Sequence, residues 1–302
     1  MPSFVNKASS DRAMRVAITG TTGRVGAALA ARLAENHHII PLPRAICDLA
    51  DPSSLKNALD SLDCDVLLNP AAITGLEACE DDPRLAMRVN SAAPGKIALW
   101  AAARGVRVIH FSTDYVFSGE HTIACTERTP PAPVNAYGRS KLAGEHAVLA
   151  HPGNLVIRIS WVFGPEKPSF VDQVIAAARA GQPLAAVADK LSLPTSTADL
   201  AAWTGALLEK DCSGVLHACH SGPPVSWHGM AGFVVREMAK LGILDAVPAV
   251  AHQTMDSLPS FRARRPRFTA MDTSRLTSLL GHPPRPWTDA LAAHVAAAAR
   301  KP

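Results

Sequence analysis

Residues 14–33, "MRVAITGTTGRVGAALAARL", constrain the fold more than any other stretch of this chain. "MRVAITG" is a short apolar run ending in glycine and reads as a buried strand. "RVGAALAARLAEN" follows with apolar residues at helical spacing. Between them, "GTTGRVG" puts Gly20, Gly23 and Gly26 at the turn, with Arg24 and Val25 in the same loop. Glycine permits a tight turn there and lets backbone N–H groups approach a pyrophosphate at the helix N-terminus. The spacing is G-x-x-G-x-x-G, not the commoner G-x-G-x-x-G. The signal therefore lies in context: the loop closes the first strand and opens the first helix.

The alternation continues downstream. "HIIPL", "DVLLNPAA", "VRVIHFST" and "NLVIRISWVFG" read as strands, "RLAMRVNSAAPGKIALWAAARG" and "SKLAGEHAVLA" as helices. Strands that are apolar nearly throughout imply a parallel sheet covered on both faces, so the expected class is α/β, a Rossmann-type doubly wound sheet. After Gly164, prolines divide the chain into shorter elements, among them helices at "TADLAAWTGALLE" and "WHGMAGFVVREMAKLG" and a strand at "GVLHACH". The expected organisation is a disordered leader at 1–13, a dinucleotide-binding domain at 14–164 and a smaller, mainly substrate-binding region at 165–302. Some segments of that last region should return to the first domain. A chain of 302 residues, 48% of them hydrophobic, can fill such a core.

Several partners are excluded. The formal net charge is only +4 and the cations are scattered, so nucleic acid is not expected. The exception is "RARRPR", with Arg262, Arg264, Arg265 and Arg267; four arginines in a proline-containing loop better suit a diphosphate. No apolar run approaches the ~18 residues that cross a membrane. Six cysteines sit singly with no Cys-x-x-Cys, which points to a reducing cytoplasm. "HACH" gathers His217, Cys219 and His220, but no second ligand cluster accompanies it, and no metal is expected.

The end of the second strand should select the adenosine ribose. In "PLPRAICDL" no acid appears before Asp48, and Arg44 is the charged side chain in place. A cation suits a 2′-phosphate, so NADPH is expected, with NADH as the lesser possibility. "YGRSK" sets Tyr137 and Lys141 four apart, on one face of a helix. A phenol's ordinary pKa of ~10 is far from neutral, and a neighbouring ammonium should draw it down. "FSTDYVF" ends a strand, where open α/β sheets bind ligands. Thr113 there can polarise a carbonyl, while Asp114 can hold a sugar hydroxyl or cap a turn.

With these residues in hand, the chain resembles the extended short-chain dehydrogenase/reductases, and within them the dTDP-4-dehydrorhamnose reductases. The resemblance runs from about Met14 to the C-terminal helix, through "GTTGRVG", "CDLADP", "NPAAITGLEACEDDP", "FSTDYVF", "NAYGRSKLAGE", "RISWVFG", "LPTSTADLA", "VSWHGMAGFV" and "RRPRFTAMD". It implies Thr113, Tyr137 and Lys141 as the catalytic set. It further implies that Asp48 and Leu49 meet the adenine and that the loop with Ala71 and Ala72 lies along the cofactor. Thr74, Asp114, Trp161, Phe170 and Arg265 would face a nucleotide sugar. The implied reaction is reduction of a 4-keto nucleotide sugar, dTDP-4-dehydro-L-rhamnose to dTDP-L-rhamnose, with Tyr137 protonating the new alkoxide. A homodimer is a possible assembly.

The chain departs from the pattern at Pro70, where alanine is usual, and at Lys190 and Ser192, where glutamine and glycine are usual. The last two are expected to face the sugar nucleotide. Two other functions share the fold. One is a non-catalytic regulatory subunit like the methionine adenosyltransferase β subunit, against which Trp161 in "SWVFG" argues. The other is a nucleotide-sugar epimerase or dehydratase, which would need a base where this chain has Tyr115.

Overall fold

The computed structural model describes residues 13–299, so the expected leader lies, but for Ala13, outside the described residues. The first half contains β1 (Arg15–Thr19), α1 (Arg24–Leu33), β2 (His38–Leu42), α2 (Pro52–Asp60), β3 (Val66–Asn69), α3 (Leu76–Asp81), α4 (Pro83–Met87), α5 (Ala93–Ala102), β4 (Arg107–Thr113), α6 (Ala136–Leu149) and β5 (Leu155–Ile159). Next come β6 (Val162–Phe163), α7 (Phe170–Arg179), β7 (Leu184–Val187), β8 (Leu191–Ser192), β9 (Thr195–Ser196) and α8 (Thr197–Leu208). The chain closes with β10 (Gly214–His217), β11 (Val225–Ser226), α9 (Trp227–Lys240), β12 (Val250–Gln253), α10 (Ser274–Leu280) and α11 (Trp287–Ala299).

Six strands form one parallel sheet in the order β2-β1-β3-β4-β5-β10. Side chains alternate across it. Val16, Ile18, Leu68 and Ile109 meet Leu29 and Leu33 of α1 and Leu200 and Trp203 of α8. Ala17, Leu67, Val108 and Val156 meet Leu55 of α2 and Ile97 and Ala98 of α5. Burial on both faces is why these strands are mostly apolar. A separate core under the second half joins Val174, Val234, Met238, Trp287 and Leu291. All six cysteines are buried and free. Among the described residues, no helix is long and apolar enough to cross a membrane.

Two elements differ from the sequence expectation. "NLVIRISWVFG" is not one strand: β5 stops at Ile159, Trp161 adopts φ +43°, and β6 resumes to pair with β9. A positive φ is a strained choice for a bulky residue, and here it turns the chain out of the sheet toward the second half. The long helix expected after residue 84 is interrupted by a π-helical stretch, Arg88–Ala92. Its wider turn carries the buried Asn90, which accepts from Ile73 N–H and donates to the Ile73 carbonyl and Ser140 Oγ. The helix α2 had no counterpart in the sequence reading. Asp51 caps it by accepting from Ser53 N–H, and Pro52 opens it.

The interior carries a paired charge: Arg158 of β5 donates to both carboxylate oxygens of Glu145 on α6, at 2.9 and 2.6 Å, both side chains being buried. Nearer the surface, Asp172 accepts from the Ser169 N–H and hydroxyl at the start of α7 and lies 2.8 Å from His294 Nε2 of α11. Burial alone would raise the Asp172 carboxyl, but these partners hold it at about 2. A folded pKa below the ordinary 3.8 means stability that is present above about pH 4 and lost as pH falls through 2. Asp172→Asn should therefore cost about 1–2 kcal/mol at pH 6, discounting for partial exposure, and little near pH 2. Thermal melts across that range would show the two curves converging; a constant gap would refute the assignment.

Candidate active site

A cavity of about 800 Å³ opens at the carboxyl ends of β1, β3 and β4, where the chain changes direction across the sheet. The glycine loop forms one end. Gly20 adopts φ +58°, and its carbonyl accepts from Gly23 N–H at 2.8 Å. A Cβ on Gly26 would sit 2.3 Å from the Gly20 oxygen, so only glycine lets α1 begin this close to β1. No side chain caps α1 at Gly23, which leaves its first N–H groups and positive dipole end facing the cavity. This cradle fits a dinucleotide pyrophosphate.

The expected cofactor residues Gly20, Gly23, Arg24, Val25, Gly26, Arg44, Asp48, Leu49, Ala71 and Ala72 all line this cavity. The two arginines differ. Arg24 donates to the carbonyls of Val162, Lys167 and Pro168, lashing the glycine loop to the segment after β6. Arg44 is 79% exposed and donates through Nε to Asp48, leaving the outer edge of its guanidinium toward solvent. Asp48 is lowered by accepting from the Ala50 N–H and from Arg44, against a smaller effect of burial.

Asn135 caps α6 by accepting from Gly138 N–H, and its Nδ2 donates to the Arg264 carbonyl. That cap fixes Tyr137 in the first turn and Lys141 one turn on, both on the cavity. Thr113, at the end of β4, lies beside the Tyr137 phenol, and Lys141 lines the same cavity. Burial pushes the Tyr137 phenol well up, the Thr113 hydroxyl pulls part of the way back, and Asp114 and Cys79 push it up again. Burial lowers Lys141 to about 8, opposed by Glu145.

Lys141 does not act on the phenol as expected. Its Nζ donates to the Phe111 carbonyl at 2.6 Å and lies 3.3 Å from His110 Nε2. Tyr137 therefore stays protonated at neutral pH, which suits a group that gives a proton away.

At the other end, Thr74, Trp161 and Arg265 line the cavity as expected, joined by Trp227 and Phe261, which the sequence reading did not assign. Phe170 is not on the wall; it stacks behind Trp227 at 5.8 Å. Arg265 lies 3.5 Å over the Phe261 ring, donates to Glu77, and has a buried Nε with no acceptor. Asp114 borders the cavity but is 1% exposed, its carboxylate accepting from Thr113, Ser192 and Thr269. A sugar hydroxyl cannot reach it without breaking that cluster.

Lys190 and Ser192 likewise do not face the cavity. Both are fully buried, and Lys190 Nζ donates to the Pro266 carbonyl and lies 4.6 Å over the Tyr115 ring. They brace Asp114 and the arginine loop from beneath. The "HACH" groups are structural too: His217 Nδ1 lies 3.2 Å from the Asp272 carbonyl, and His220 Nε2 accepts from Ser196 N–H.

The model of a family described as the RmlD substrate binding domain matches residues 14–300. The chain belongs to this family. The dTDP-4-dehydrorhamnose reductase of Burkholderia thailandensis is 34% identical over 278 residues, covering 84% of this chain and 93% of that protein. The Mycolicibacterium smegmatis enzyme of the same name is 35% identical over 298 residues, 94% of this chain and 86% of that one. Among solved structures, dTDP-4-dehydrorhamnose reductase from Bacillus anthracis in complex with NADP superposes with a TM-score of 0.86 at 26% identity, covering 95% of this chain and all of that one. The Yersinia enterocolitica reductase gives 0.85 at 29% identity, covering 93% and 98%. These members of the RmlD family share the whole architecture with this chain, both halves included.

Proposed function

We propose that this protein is an NADPH-dependent reductase of 4-keto nucleotide sugars that converts dTDP-4-dehydro-L-rhamnose to dTDP-L-rhamnose. The observation that carries the reading is the meeting of Thr113, Tyr137 and Lys141 on one cavity that also opens onto the glycine loop. NADPH, when bound along that loop, supplies the hydride for C4 of the sugar. Thr113 donates to the C4 oxygen and polarises the carbonyl. Tyr137 then gives its proton to the alkoxide, a far stronger base than a phenolate. Lys141, on the same cavity wall, holds the cofactor ribose, while Arg265 and the aromatic wall of Trp161 and Trp227 hold the nucleotide diphosphate and sugar.

Incubating the purified protein with NADPH and a panel of 4-keto nucleotide sugars tests this directly. Cofactor consumption with the dTDP-linked 4-keto-6-deoxy sugar is expected. NADPH binding without consumption on any member of the panel would favour the regulatory-subunit reading instead. Arg44 should select the cofactor: Arg44→Ala is expected to weaken NADPH about tenfold and leave NADH unchanged, as loss of one charge-assisted phosphate contact predicts. Equal titration curves for both cofactors in the parent protein would remove Arg44 from that role. A cytoplasmic setting is supported by six buried, unpaired thiols. Homodimerisation is the accompanying proposal, supported by the exposed Met87 and Leu99 on the α4–α5 stretch and read by light scattering.

A further inference from the structure

Three neighbouring strands carry polar side chains that touch. Asn69 of β3 is directly opposite His110 of β4, and Thr19 follows Ile18, which is opposite Leu68. Thr19 Oγ1 is 2.7 Å from Asn69 Oδ1, Asn69 Nδ2 is 3.1 Å from His110 Nδ1, and His110 Nε2 is 3.3 Å from Lys141 Nζ. Thr19 is 1% exposed, Asn69 and His110 are 0%, and Lys141 is 2%. The row lies in the face otherwise filled by Ala17, Leu67 and Val108, where apolar residues would pack without any desolvation cost. A row of buried polar groups that runs from the cofactor loop to the catalytic lysine calls for a reason beyond packing.

The reason lies in the direction of its hydrogen bonds. With Lys141 as an ammonium, Nζ donates to His110 Nε2, His110 Nδ1–H donates to the Asn69 amide oxygen, and the Asn69 NH₂ donates to Thr19 Oγ1. With Lys141 as a neutral amine, every arrow reverses: Thr19 donates to Asn69, Asn69 to Nδ1, and Nε2–H to Nζ. A half-turn of the Asn69 amide and a change of imidazole tautomer connect the two states, and both His110 nitrogens keep a partner in each. The imidazole itself stays neutral, since burial, reinforced by Lys141, pushes it well below 6.5 while the Asn69 carbonyl pulls back only in part.

We propose that His110, backed by Asn69 and Thr19, is a positioning residue that holds the Lys141 amine on the cavity in both of its protonation states. The proposal rests on the reductase reading, in which the Lys141 ammonium serves the cofactor ribose on the cavity wall. Other groups facing Lys141 are Tyr137 one turn before it and Glu145 one turn after, the latter paired with Arg158 of β5. The Phe111 carbonyl accepts from Nζ at 2.6 Å but has no proton to give, whereas His110 can accept from the ammonium and donate to the amine.

Removing that acceptor costs the ammonium more than the amine, because charge-assisted hydrogen bonds are the stronger ones. His110→Leu should move the basic limb of the kcat profile down by about one pH unit and so cut kcat near pH 8 by about fivefold. KM for the nucleotide sugar should stay within about threefold. His110→Gln places an amide near the Nε2 position and should recover most of the loss; His110→Asn reaches only toward Asn69 and should not. Gln and Asn variants that lose activity equally, in step with their melting temperatures, would overturn the proposal, as would an unmoved limb. The lysine side-chain NMR resonance assigned through Lys141→Met gives a second readout without substrate. It should titrate at lower pH in His110→Leu and near the parent value in His110→Gln. If the parent protein reduces no sugar but this resonance shifts as stated, the reductase reading fails and the positioning role stands; no shift removes the positioning role whatever the activity.

Discussion

Tyr137→Phe will reduce turnover by about 10²–10⁴-fold while NADPH binding stays within a factor of a few. The range is that of a positioned general acid. The variant removes one oxygen from a helix turn whose cap, Asn135, and whose neighbour Lys141 are untouched. The ring still packs edge-on against Tyr115 at 5.8 Å, so the wall keeps its shape. Single-turnover mixing with a saturating 4-keto nucleotide sugar separates the chemical step from binding. A Phe variant that keeps full turnover would place the proton donor elsewhere, and the Thr113 hydroxyl would be the next group to test.

The second large effect concerns stability. Glu145→Ala leaves the Arg158 guanidinium buried with its two charge-assisted acceptors gone, His217 Nε2 3.5 Å away and the Phe117 ring beneath it. Breaking one side of such a pair costs about 3–5 kcal/mol, a large part of the stability of an ordinary domain. Replacing both residues, Glu145→Leu with Arg158→Met, should recover most of that loss, because the pair's own desolvation cost goes with it. Urea unfolding of the three proteins decides the matter. A double variant as unstable as the single one would mean that the pair is itself a net stabiliser.

The sequence reading succeeded where one short stretch contains its own explanation. Gly20, Gly23 and Gly26 stand between an apolar run and a helical one, and Tyr137 and Lys141 are one helical turn apart, so local rules reach the answer. It failed where the answer depends on partners far along the chain. Trp161 sits in a stretch that reads as one strand, and only the pairing of β6 with β9 reveals the turn. Lys190 looked like a substrate contact, yet Pro266 and Thr269 enclose it. Phe170 and Trp227 are both aromatic, and their stacking order, which decides who meets the cavity, is set by the packing of α7 against α9. The Lys141 amine turned away from Tyr137 for a similar reason: the Phe111 carbonyl and His110 reach it from β4, thirty residues upstream.

The strand β10 adds itself to the sheet beside β5, after α8 has crossed to lie on α1. During synthesis, then, the nucleotide-binding sheet cannot be finished when its own first five strands have emerged. Until residue 208 emerges there is no α8 over Leu29 and Leu33, and until residue 217 emerges β5 presents a bare edge at Leu155 and Ile157. An unpaired edge of this kind invites association with other chains, and pairing across more than fifty residues is slow to form. The part of the molecule that looks most like a self-contained module is therefore the part whose folding waits longest on the rest.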